Sequence, residues 1–142
     1  MISSSCQYAL KAMLELSLRY QQGPISIGQI AESQKIPARF LEAILRQLKQ
    51  AGLADSARGK DGGYFLAHPP HEISVGQVIK VIEGPLLAIR DNTSTDELPD
   101  VFSSVWNQAS LALSRVLDQT RFDTLVDEEL NRAYVAATNF SI

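Results

Sequence analysis

Arg39, Glu42 and Arg46 follow one another at intervals of three and four residues. Arg58 and Lys60 come twelve and fourteen residues after Arg46, in the glycine-rich run Arg58-Gly59-Lys60-Asp61-Gly62-Gly63. Spacings of three and four put side chains on one face of a helix. A face built this way can read a duplex: Arg39 can donate to a guanine edge or a phosphate, and Glu42 can accept from cytosine N4. Ala43 is small enough for close approach or for contact with a thymine methyl, and Ala38 lies on the same side. Arg46 is better placed for a backbone phosphate. Arg58 is planar and always charged, which fits a narrow minor groove. Gly59 lets the turn around Arg58 and Lys60 approach a sugar-phosphate edge. Ser26, at the start of the preceding helix, completes the candidate DNA-binding set.

Other reactive side chains form no such constellation. Cys6 is the only cysteine. It stands near a helix start, where a thiol pKa can fall, so a redox role is one reading and an unremarkable helix residue the other. His68 and His71 flank Pro69-Pro70 with no third ligand in view, and no metal site is expected. Asp91, Asp96, Glu97 and Asp100 are hard oxygen donors in a polar stretch that reads as a solvated linker. No phosphate-binding loop, dinucleotide fingerprint or nucleophile elbow is present, and Cys6 has no histidine in its own element to activate it. The residues therefore point away from an enzyme.

The elements that would position the basic face can be read from periodicity. Tyr8, Ala9, Ala12, Met13, Leu16 and Tyr20 repeat at helical spacing and predict a first helix over 4–20, stopped by Gln22-Gly23-Pro24. Ser26-Ile27-Gly28-Gln29 has the form of a capping box opening a second helix to about 34, and Ser74-Val75-Gly76-Gln77 repeats that form further on. Pro37 suits the first turn of a third helix, whose Phe40, Leu41, Ile44, Leu45 and Leu48 make one apolar stripe ended by Gly52. Short strands are expected at 53–57 and 64–67, joined by the glycine-rich turn. A long helix begins near 98 or 101, with Val101, Phe102, Val105, Trp106, Ala109, Leu113, Val116 and Leu117 on one side. A last helix is expected from Asp123, as its cap, to about 137.

The whole chain carries a net charge of -3 and is 45% hydrophobic, so it can bury a core. Its charge is unevenly spread. Between 35 and 60, Lys35, Arg39, Arg46, Lys49, Arg58 and Lys60 face only Glu42 and Asp55, whereas the chain from 86 onward is acidic. A local basic patch matters more than the total when phosphates are the target. The N-terminus lacks the pattern of a signal peptide and no run is long enough to cross a bilayer, so a cytoplasmic protein is expected. Taken singly, Arg39 and Arg46 fit a solvated helix face and the turn fits any hairpin. In this order they spell a winged helix-turn-helix.

At these residues the chain resembles the bacterial winged-helix regulators of the IscR, NsrR and CymR type. The resemblance lies in YALKAMLELS from Tyr8, in SIGQIAESQKIPARFLEAILRQLKQAGLADSARGKDGGYFLA from Ser26, and in SVGQVIKVIEGP from Ser74. It implies a dimer that binds palindromic promoter DNA with the third helix and the wing, Arg39 and Glu42 facing bases and Arg58 entering the minor groove. Many members carry three cysteines before the dimerisation helix that hold an iron–sulfur cluster. Here that stretch is LLAIRDNTSTDELPDVFSSVW, without cysteine or histidine, and such clusters need thiolate ligands. No cluster and no other cofactor is expected. Ser5-Cys6-Gln7 also stands where members often carry a lysine and an arginine.

The expectation is a mainly α protein with a small β-hairpin wing: a winged helix-turn-helix DNA-binding domain over 1–85, a linker and effector region over 86–100, and a dimerisation helix plus C-terminal helix over 101–142. Val101, Val105, Trp106, Ala109, Leu113 and Val116 would form the dimer seam. The expected function is a homodimeric repressor on operator DNA, answering to a small-molecule or protein effector. A winged-helix module that regulates a partner enzyme is the alternative.

Overall fold

The computed structural model describes residues 2–84 and 100–139. Helix α1 (Ser4–Leu18) starts on Ser3, whose hydroxyl accepts from the Cys6 N–H at 3.1 Å. The Ser3 N–H in turn donates to Glu83 Oε1 at 2.8 Å. Hydrogen bonds from Ser3, side chain first and backbone second, hold the Glu83 carboxyl below its usual value. Ala9, Ala12, Met13 and Leu16 are the buried stripe. The helix stops at Leu18 rather than Tyr20, because Arg19 and Tyr20 turn out of it and Gln21 takes a left-handed φ of 66°.

Both capping boxes form. In α2 (Ile27–Gln34) the Gln29 N–H donates to Ser26 Oγ and the Ser26 N–H to Gln29 Oε1; in α4 (Val75–Glu83) Gln77 and Ser74 do the same. Each box satisfies two of the donors that a helix start otherwise leaves open. Between them lies α3 (Ala38–Gln50). Pro37 sits just before its first turn rather than inside it, and no side chain caps this helix. Leu41, Ile44, Leu45 and Leu48 are buried, whereas Phe40, assigned above to the apolar stripe, lies at its edge and is 38% exposed. At the far end Leu53 N–H donates to Leu48 O and Gly52 N–H to Lys49 O, with Gly52 at φ 80°. This left-handed glycine closes the helix and turns the chain into the wing.

The wing is the antiparallel pair β1 (Ala54–Ala57) and β2 (Gly63–Leu66), with Ala54 opposite Leu66 and Ala57 opposite Gly63. Each strand begins one residue away from its expected start. Ile25 adds a short third rung: its N–H donates to Tyr64 O and Tyr64 N–H to Ile25 O, both at 2.8 Å. That approach explains Gly63, where a Cβ would collide with the Ile25 carbonyl.

A 3₁₀ turn (Pro70–Glu72) leads into α4. Helix α5 (Val101–Gln119) is capped by Asp100, which accepts from the N–H groups of Phe102 and Ser103. Helix α6 (Phe122–Asn139) begins one residue before Asp123, so Asp123 is an acidic first-turn residue and not the cap. The Phe122 N–H donates to Ile73 O and the Val75 N–H to Thr120 O, which staples the α5–α6 corner to the start of α4. Phe122 is 1% exposed and belongs to the same core as Met13, Leu16, Leu45 and Val78. At Gly76 a Cβ would strike Asp118, so a residue without one lets α4 and α5 cross closely.

Candidate nucleic-acid interface

Helix α3 buries one face and leaves Ala38, Arg39, Glu42, Ala43 and Arg46 exposed on the other. The expected base-reading residues therefore share one solvent-facing surface. Arg58, Gly59 and Lys60 are exposed at the tip of the wing. Ser26 is partly buried and occupied: its side chain accepts from Gln29 N–H as the α2 cap. It presents a capped helix start and not a free hydroxyl.

The pairing on this surface was not legible in the sequence. Glu42 Oε1 accepts from Arg46 Nη2 at 3.1 Å, an exposed i,i+4 pair. Arg39 lies with its guanidinium carbon 4.7 Å above the Phe40 ring, and Phe40 stacks on Tyr8 of α1 with centroids 5.7 Å apart. The basic side chain at the front of α3 thus rests on an aromatic stack tied to another helix. Lys49 Nζ donates to Ser56 Oγ at 2.7 Å and braces the back of α3 against β1. In the sequence Lys49 contributes only charge.

The other sequence candidates fall outside this surface. Cys6 is fully buried, and burial first, with the nearby Glu83 charge second, pushes its thiol up to about 11. That is the opposite of the environment a reactive thiol needs, so the structure argues against the redox reading. His68 Nδ1 and His71 Nε2 each lie 3.8 Å from a Glu72 oxygen, all exposed. Among the described residues no three His, Cys, Asp or Glu groups converge as a metal site would require. The expected effector segment 86–100 lies outside the described residues except for Asp100. Val101, Val105, Trp106, Ala109, Leu113 and Val116 are all exposed on α5.

A family model described as an iron-dependent transcriptional regulator, Rrf2, matches residues 2–128. The chain belongs to the Rrf2 family. It is similar to the HTH-type transcriptional regulator CymR of Bacillus subtilis, with 35% identity over 124 residues that span 87% of this chain and 88% of that protein. The solved structure of that protein, the global cysteine regulator of B. subtilis, superposes with a TM-score of 0.81 at 34% identity, covering 90% of this chain and 97% of that one. The T. potens IscR structure gives 0.78 at 32% identity, covering 91% and 88%. As an Rrf2 protein the chain is an HTH-type transcriptional regulator with a winged, DNA-binding fold, and it is not an enzyme. No helix among the described residues is long and apolar enough to cross a membrane.

Proposed function

We propose that this Rrf2 regulator works as a cytoplasmic homodimeric repressor on palindromic operators and holds no iron–sulfur cluster. The observation that carries the reading is the uncovered apolar face of α5 and α6. Val101, Phe102, Val105, Trp106, Leu113 and Val116 on α5, with Leu130, Tyr134 and Val135 on α6, are between 44% and 80% exposed. Large apolar side chains grouped this way mark a protein interface. A second copy is the natural occupant, because a symmetric contact would present two α3 helices to two half-sites.

In DNA the proposed readers are Arg39, Glu42 and Ala43 for bases, Ala38 and Arg46 for the backbone beside them, and Arg58 with Gly59 and Lys60 for the minor groove. Ser26 supports them as the cap of α2. The cluster-free reading rests on ligand chemistry. The chain supplies one thiol, buried and held protonated, whereas a cluster needs several thiolates. Repression follows if the dimer occupies promoter sequence.

The alternative, a module that regulates a partner enzyme, is favoured by one feature: Glu42 neutralises Arg46 on the reading face. Salt separates the two. Duplexes selected by the protein from a random library should bind with a log–log salt slope of about -0.9 per phosphate neutralised. Binding that ignores salt and sequence alike would leave only the module. Because the B. subtilis relative is a cysteine regulator, genomic footprinting with and without sulfur limitation is the direct search for operators.

A further inference from the structure

Glu15 is a carboxylate with 3% exposure, in the middle of the buried face of α1. Its two oxygens are shared between two partners. Oε1 accepts from Arg19 Nε at 2.9 Å, one turn along the same helix. Oε2 accepts from Gln34 Nε2 at 2.8 Å, on α2.

Gln34 is the last residue of α2. Lys35 follows it in a left-handed conformation at φ 55°, where a side chain carries a steric cost. Ile36 is buried, with its N–H on Ala31 O, and α3 begins two residues later. The hydrogen bond to Glu15 therefore holds the end of α2 from which the turn into α3 departs. A buried carboxylate is a poor device for stability alone, since apolar replacements of ion pairs are often neutral or better. What it offers is one permitted geometry: a buried polar group at position 15 that must be met by a hydrogen-bond partner at position 34.

We propose that the Glu15–Gln34 hydrogen bond is a positioning contact that sets how α3 is presented, so that preference for operator over random DNA depends on it. The inference rests on the reading that α3 enters the groove. Neither residue need touch DNA. Exchanging the two residues should preserve the contact. The amide brought to position 15 would accept from Arg19 through its oxygen, and its nitrogen would donate to the carboxylate brought to position 34.

The test compares wild type with Gln34→Glu, Gln34→Met, Glu15→Gln and the exchange pair Glu15→Gln with Gln34→Glu. Binding to a duplex selected by the wild type and to a random duplex is measured at one salt concentration, alongside thermal melting. Glu15→Gln keeps the contact with a turned Gln34 amide and should behave as wild type. Gln34→Glu sets two carboxylates against each other, and Gln34→Met keeps chain length without a donor. Each should lower the ratio of specific to random affinity about tenfold, the scale of leaving one buried polar group unpaired. The exchange pair should recover the ratio. A purely structural role would move the melting temperature and leave the ratio of the folded fraction alone, so an unchanged ratio in Gln34→Met, or no recovery in a folded exchange pair, overturns the proposal. A wild type without preference for any duplex would remove the operator reading itself, and this inference with it.

Discussion

Arg39 shows how a charged side chain is oriented by its apolar neighbours. Phe40 stacked on Tyr8 gives the guanidinium a flat seat. A cation over an exposed ring gains roughly 0.5–1 kcal/mol, enough to bias a rotamer without locking it. Glu42 is different. Its partner Arg46 is exposed, and exposed i,i+4 pairs contribute only about 0.3–0.5 kcal/mol, so the carboxylate can leave Arg46 for a base at small cost. Glu42→Ala should therefore relax base preference by about 1–3 kcal/mol while leaving the melting temperature nearly unchanged; competition binding with single-base operator variants measures it. Equal discrimination before and after would remove Glu42 from the reading set. Cys6 supports a prediction of a different kind. Its folded pKa, about 11, lies above the ordinary 9.0. A raised folded pKa means stability that is complete below pH 9 and lost as pH climbs toward 11. A thiol reagent should label native protein far more slowly than unfolded protein, and Cys6→Ala should flatten the alkaline fall in stability. Rapid native labelling at neutral pH would show that the thiol is accessible after all.

At the scale of elements, the wing depends on a contact that its own hairpin does not contain. The Ile25–Tyr64 rung pins β2 to the strand-like residue before the α2 cap, and Gly63 is the residue that permits it. Gly63→Ala should cost on the order of 1–3 kcal/mol through forced backbone shifts, the range for overpacking in tight sites. It should also weaken operator binding as Arg58 loses its station. Denaturant melts paired with binding assays check both. A variant that melts as wild type but has lost affinity would mean that the wing moves without unfolding. The helices were legible in detail because their signals are local. The Ser26 and Ser74 boxes form as read, and Gly52 closes α3. The errors came from partners distant in the chain. Phe40 has helical core spacing, yet the stripe runs out beneath it and Tyr8 receives its ring. Asp123 looks like a cap, yet the Phe122 N–H already finds Ile73 O, which lets the helix start a residue sooner.

On the scale of the molecule, the C-terminal helices have two roles. Phe122 enters the head core, and the α5–α6 corner is stapled to α4, while the long faces of α5 and α6 remain exposed. Phe122→Ala should cost about 3–5 kcal/mol, the range for emptying a buried aromatic site, and a melting shift of several degrees would register it. Leu113→Glu should spare the fold, since Leu113 is 44% exposed. It should shift the protein toward a monomer by light scattering and reduce operator affinity, because one head would then hold one half-site. A Leu113→Glu protein that stays dimeric would place the interface elsewhere.

Composition and periodicity by themselves determined the order of helices, the apolar and charged faces of α3, the wing turn and the long uncovered stripe of α5. These follow from spacing and capping, which act within a few residues. Tertiary structure alone decided that Phe122 completes the head core, that Ile25 joins the wing, that Cys6 is sealed and that Glu15 reaches across to Gln34. Those facts join residues far apart in the chain, and no local pattern encodes which distant atom a buried group will meet.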